Sequence, residues 1–162
     1  MRTFTTLCYM EKDDAYLMLH RTKKEGDINH DKYIGIGGHI EHGESPEDCI
    51  QREIYEETGL TAHSLRLRGL ITFVMDGDDE YSFLYTCDSF SGTLHECDEG
   101  DLRWVAKSET AALPLWEGDK IFFRLLRQER PFFSLKLTYI RDRLTAAALD
   151  GREISLPGPE TP

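Results

Sequence analysis

The residues best suited to chemistry fall in one 23-residue frame, Gly38-x5-Glu44-x7-Arg52-Glu53-Ile54-x-Glu56-Glu57-x-Gly59-Leu60. On a helix, Glu53, Glu56 and Glu57 share an arc of about 100°, because positions three and four apart are neighbours. Like charges so placed destabilise an isolated helix by a few tenths of a kcal/mol per pair. A hard divalent cation offsets that repulsion, since Mg²⁺ prefers carboxylate oxygens and water and bridges readily to substrate phosphate. Gly37 and Gly38 carry no Cβ, so their backbone carbonyls can come close to an ion. Arg52, beside Glu53, can orient a carboxylate through a bidentate pair. The plain alternative is a solvated acidic helix with an arginine partner. Nine specified positions in one frame, bounded by helix-capping residues, weigh against it.

Those carboxylates need a rigid helix and a loop held against it. Ser45 is a good N-cap, Pro46 suits the first helical position, and Glu47 and Asp48 complement the positive helix end. Gly59 supplies the stop, so the pattern predicts a helix from Pro46 to Thr58. Upstream, Thr3–Met10 and Ala15–His20 read as strands separated by the turn-like Glu11-Lys12-Asp13-Asp14. A polar loop runs from Arg21 to Lys32, and Tyr33–Ile36 is a short apolar run ending at Gly37-Gly38. Downstream, Leu65–Met75 and Tyr81–Phe90 read as strands around the acidic turn Asp76-Gly77-Asp78-Asp79, and Asp101–Ala106 as another. A second helix is expected over Asp119–Gln128, with Ile121, Phe122, Leu125 and Leu126 on one stripe. Phe132–Tyr139 and Leu144–Leu149 then close the fold as a hairpin. Strands and helices in this order indicate an α/β or α+β sandwich.

The length, 162 residues, suits one domain over 1–155, with a Pro- and Gly-containing disordered tail over 156–162. The formal net charge of −11 comes from 30 acidic and 19 basic side chains. Such a field repels long nucleic acid, so duplex binding is disfavoured, while a small phosphorylated ligand arriving with metal ions is not. No apolar run approaches the roughly 20 residues that span a bilayer. The N-terminus lacks the apolar core of a signal peptide, which makes a cytoplasmic location the expectation. Cys8, Cys49, Cys87 and Cys97 form no C-x-x-C pair and read as reduced thiols. Nothing in the sequence sets the oligomeric state.

The frame resembles the Nudix box and matches it without a departure. The resemblance implies an α/β/α sandwich with a mixed β-sheet and the box helix packed on it. It implies Mg²⁺ (or Mn²⁺) held by Glu53, Glu56, Glu57 and the Gly37 carbonyl, with Arg52 part of the catalytic apparatus. The reaction implied is attack of a metal-activated water on a phosphoanhydride of a small nucleotide.

Outside the box the chain resembles the MutT-like subgroup that hydrolyses oxidised purine nucleoside triphosphates such as 8-oxo-dGTP. That resemblance assigns Glu99 to metal binding or proton transfer, and Trp116, Asp119 and Phe73 to the purine pocket. Ile34 stands where one branch has a base-binding Asn, and Gly118 replaces one of two adjacent acidic pocket residues. Arg21 is placed to meet a phosphate. Each has a plain alternative: Glu99 a solvated loop charge, Phe73 core, Trp116 packed on the sheet, Arg21 a surface arginine. ADP-ribose and nucleotide-sugar pyrophosphatases share the box, but their marker proline beyond it has no counterpart between Pro46 and Pro114. The upstream signature of coenzyme A pyrophosphatases is also missing. A broad nucleoside triphosphate pyrophosphatase, an RNA 5′-end pyrophosphohydrolase and a non-catalytic nucleotide sensor are the remaining readings. Sensors usually lack one or more box carboxylates, and all are present here.

Overall fold

Along Cys8-Tyr9-Met10, and again along Tyr16-Leu17-Met18-Leu19, every side chain is buried, so these segments have no solvent face. A strand turns successive side chains to opposite sides. Accordingly Cys8, Met10, Leu17 and Leu19 enter one core cluster, while Tyr9, Tyr16 and Met18 enter another. A sheet apolar on both faces must be covered on both. The computed structural model, which describes residues 1–23 and 25–157, shows how.

The order is β1 (Arg2–Lys12), β2 (Ala15–Arg21), β3 (Tyr33–Ile34), β4 (Ile36–His39), α1 (Pro46–Thr58), β5 (Leu60–Met75) and β6 (Asp78–Gly92). Then follow β7 (Gly100–Ala106), a 3₁₀ turn over Lys107–Ala112, α2 (Asp119–Arg127), β8 (Phe133–Ile140), β9 (Arg143–Leu149) and β10 (Arg152–Ile154). Helix α1 lays Ile50 and Ile54 on one face of the sheet. Helix α2 lays Ile121, Phe122, Phe123, Leu125 and Leu126 on the other. The result is the expected α/β/α sandwich.

The sheet is mixed, with path β10-β9-β8-β5-β6-β1-β2-β3. Strands β1 and β6 are parallel, as are β5 and β8, and the other pairs are antiparallel. One edge of β1 is shared: β4 takes Thr5–Cys8, and β2 takes Met10–Lys12. That fork brings Gly37 and Gly38, on β4, into the middle of the sheet. The hairpin turns obey local chemistry. Asp76 and Gly77 have φ of 48° and 90°, and Asp150 and Gly151 have 50° and 83°. Two successive positive φ values give the primed turns whose twist matches the strands.

Helix α1 has the expected bounds. The Asp48 N–H donates to Ser45 Oγ and the Ser45 N–H to Asp48 Oδ2, both at 3.0 Å, a reciprocal capping box. Elsewhere several strands run longer than the pattern predicts, while α2 ends one residue early, at Arg127, and the Tyr33–Ile36 run is divided between β3 and β4. Strand β5 begins at Leu60 and continues through register shifts between Ala62 and Arg66, and the acidic turn is two residues because β6 resumes at Asp78. Strand β10 and the 3₁₀ turn were not expected. From residue 158 onward the expected tail lies outside the described residues. Among the described residues no helix is long and apolar enough to cross a membrane.

Candidate active site

Burial of Ile50 and Ile54 turns Glu53, Glu56 and Glu57 toward the loop formed by β4 and the segment after it. Arg52 organises this surface. Its Nε donates to Glu44 Oε2 at 2.7 Å and its Nη2 to Glu44 Oε1 at 2.9 Å. Its Nη1 donates to Glu53 Oε1 at 2.8 Å and Glu56 Oε2 at 3.3 Å, and Nη2 also reaches the His39 carbonyl. The guanidinium therefore ties the loop to two of the three helix carboxylates. The fork–fork pair with Arg52 holds Glu44 down at about 2.

The two glycines are needed for reasons more specific than access to an ion. A Cβ on Gly37 would overlap the Thr6 carbonyl across the β1–β4 pairing, and one on Gly38 would sit 2.6 Å from Glu53 Oε1. Gly38 thus makes room for a carboxylate, while Gly37 lets the strand close on β1. The Gly37 N–H donates to Glu57 Oε2 at 3.2 Å.

Burial, then the charges of Glu53 and Glu99, push Glu57 up to about 9. Burial also raises Glu53, against the pull of Arg52. Glu99 therefore belongs to the same electrostatic group as the helix carboxylates, although it lies in a distant loop. It is brought there by β2 and β7, whose register sets Arg21 opposite Gly100. Arg21 Nη1 donates to Glu99 Oε2 at 2.8 Å and Nε to Asp27 Oδ2 at 2.7 Å. With its side chain 11% exposed, Arg21 is a bridging arginine rather than an open surface one. Among the described residues no three His, Cys, Asp or Glu side chains stand ready-grouped around one point. The donor chemistry nonetheless suits a hard divalent ion. The charges of Glu56 and Glu99 bear on Glu53, and those of Glu53 and Glu99 on Glu57, and this mutual repulsion is what a cation relieves.

The base-side residues divide. Trp116 and Asp119 are buried at the entry to α2, and Phe73 packs against the same cluster. Ile34 packs against the opposite cluster, with α1, so the sheet separates it from Trp116 and Phe73. Strand parity is the cause: Tyr33 goes to the α2 side, and its neighbour must go to the other. Trp116 packs edge-on against Tyr139, with centroids 5.3 Å apart. Burial pushes Asp119 up to about 8, with Lys32 pulling the other way.

Sequence reasoning missed several residues. Glu44 was in the frame but had no role; it is the partner that fixes Arg52. Asp27 holds Arg21 with one oxygen and accepts from the Asn29 N–H with the other. Asn29 Oδ1 accepts from Trp116 Nε1 at 2.7 Å. The Asp27-x-Asn29 spacing favours such local bonds, but its distant partners had no local signal. Lys32 was likewise overlooked; its Nζ lies 4.7 Å from the centroid of the Trp116 ring.

An arginine-bridged acidic helix, packed on a mixed sheet beside a glycine strand, defines a class of hydrolases that act on phosphoanhydrides. Comparison with known proteins makes the assignment particular. Residues 1–126 match the NUDIX domain. An uncharacterized Nudix hydrolase of Bacillus subtilis, YvcI, is 33% identical over 120 residues, covering 70% of this chain and 72% of that protein. The oxidized purine nucleoside triphosphate hydrolase of Mus musculus is 32% identical over 103 residues, 62% of this chain and 66% of that protein. The crystal structure of a mutator MutT protein from Bacillus halodurans superposes with a TM-score of 0.82 at 26% identity, covering 91% of this chain and 97% of that one. The chain belongs to the NUDIX family, in its MutT-like branch, and is a pyrophosphohydrolase.

Proposed function

We propose that this enzyme hydrolyses an oxidised purine nucleoside triphosphate such as 8-oxo-dGTP to the nucleoside monophosphate and pyrophosphate, using Mg²⁺, with Mn²⁺ able to substitute. The observation that carries the reading is Asp119. It is a buried carboxyl beside Trp116, at the entry to α2 and over a cluster that includes Phe73. In the neutral form favoured by burial it both donates and accepts, which suits a purine edge. The likeness to the mouse hydrolase of oxidized purine triphosphates points the same way.

Glu53, Glu56, Glu57, Glu99 and the Gly37 carbonyl would hold the ion. When bound, it supplies positive charge for the phosphates and a more acidic water. Arg52 orients Glu53 and Glu56, and the Gly37 N–H orients Glu57. Arg21 holds Glu99 at the group's edge. Trp116 and Phe73 give a purine a flat apolar wall. We place the reaction in the cytoplasm, consistent with four free, buried cysteines among the described residues.

A second reading, a broad nucleoside triphosphate pyrophosphatase, is favoured by Ile34. It brings no polar group to the base side and lies across the sheet from Trp116. The test is steady-state hydrolysis of 8-oxo-dGTP, dGTP and dCTP with Mg²⁺. The proposal expects the highest kcat/KM on 8-oxo-dGTP. Equal values on all three establish the broad enzyme, and nucleotide binding without release of pyrophosphate establishes a sensor.

A further inference from the structure

The face of Trp116 that a base would use is already shared with a cation. Trp116 and Lys32 line one open cavity of about 480 Å³, together with Met75, Arg141 and the carboxylates Asp76 and Asp142. The ammonium of Lys32 sits 4.7 Å from the indole centroid. Neither group is loosely placed. The indole N–H is tied to Asn29 Oδ1. The backbone of Lys32 is pinned on both sides, its N–H donating to the Asn29 carbonyl and its carbonyl accepting from the Arg21 N–H. Lys32 is close enough to Asp119 to favour its ionised form, against the larger effect of burial. An ammonium offers three donors and no acceptor. A base stacking on that face displaces the ammonium to the base's own edge, where it can donate to a carbonyl oxygen but offers no acceptor to an amino group.

We propose that Lys32 is a specificity-determining residue that selects bases with a carbonyl on the edge facing it, the 6-oxopurines, over 6-aminopurines. This rests on the reading above, that a purine stacks on Trp116. The selection has two parts. With a 6-oxopurine, Lys32 leaves the indole face and gains a charge-assisted hydrogen bond to the oxygen. With adenine it gives up the cation–π contact and faces a second donor, so binding gains nothing in return.

The test compares kcat/KM for dGTP, 8-oxo-dGTP and dATP in wild type, Lys32→Met and Lys32→Arg. Lys32→Met keeps length and removes the donor. It should lower kcat/KM roughly tenfold on both 6-oxopurines, the usual cost of losing a hydrogen bond to a charged group. Turnover of dATP should hold or rise. Lys32→Arg should retain most of the preference. Uniform loss on all three nucleotides would mark Lys32 as a phosphate contact and overturn the inference, as would no loss on any. If wild type cleaves none of them, the hydrolytic reading fails separately. In that case, binding of dGMP and dAMP is followed by quenching of Trp116 in a Trp104→Phe background. A dGMP preference lost in Lys32→Met upholds the role, and equal affinities in both proteins reject it.

Discussion

Arg52 and Glu44 form a two-point clamp across eight residues of chain, Nε to Oε2 at 2.7 Å and Nη2 to Oε1 at 2.9 Å. The same guanidinium uses its remaining nitrogen on Glu53 and Glu56. A lysine carries the charge but cannot supply this planar fork. Arg52→Lys should therefore lower kcat by roughly tenfold or more while leaving KM within a few-fold, because the clamp orients carboxylates rather than touching the base. Arg52→Lys and Glu44→Gln should fall short of additivity when combined, since either removes the same clamp. Additive losses in that cycle would separate the two residues.

Glu56→Gln and Glu57→Gln should each lower kcat by orders of magnitude. Folding should be little changed or improved, because a like charge leaves a crowded group. In wild type, Mg²⁺ should raise the melting temperature by mass action, and chelation should reverse it. The rise should shrink in both variants. An unchanged Mg²⁺ shift together with near-wild-type turnover would remove these carboxylates from the site.

Asp119 should leave a signature in stability against pH. Burial raises its folded pKa to about 8, above that of the unfolded chain. A raised pKa means that the folded state binds the proton more tightly. The stabilising effect is thus complete in acid, below the ordinary carboxylate range, and is lost as pH rises through about 8. Asp119→Asn should flatten that part of the profile, gaining on wild type as pH rises. Melting curves at about pH 5 and about pH 9 in metal-free buffer read the difference, and parallel profiles would show Asp119 ionised in the fold.

The base reading makes a separate demand on Asp119. An unpaired buried polar partner costs about 1–3 kcal/mol, so Asp119→Ala should reduce kcat/KM for 8-oxo-dGTP roughly tenfold or more. It should hardly touch dCTP. Equal losses on 8-oxo-dGTP, dGTP and dCTP would make Asp119 structural.

Hydrolysis in isotopically labelled water should place the new oxygen on the β phosphorus, with a nucleoside monophosphate and pyrophosphate as products. Orthophosphate and a nucleoside diphosphate would contradict cleavage between the α and β phosphates.

The chain itself determined whatever depends on neighbours a few residues apart. Ser45, Pro46, Asp48 and Gly59 bound α1, and the spacing of Glu53, Glu56 and Glu57 sets three carboxylates on one face because a helix repeats every 3.6 residues or so. Capping and periodicity are local energies, legible without the fold. The tertiary structure alone decided what meets that face. Glu99 joins it because β2 and β7 pair with Arg21 opposite Gly100, and strand register is a sum over distant contacts. Ile34 and Tyr33 show the limit most sharply. Adjacent and both apolar, they go to opposite faces of the sheet, and a one-residue shift of register would exchange them. Lys32 over Trp116, 84 positions apart in sequence, has no local signal at all. It exists because loop closure and the docking of α2 bring two separately stabilised segments to one edge of the cavity.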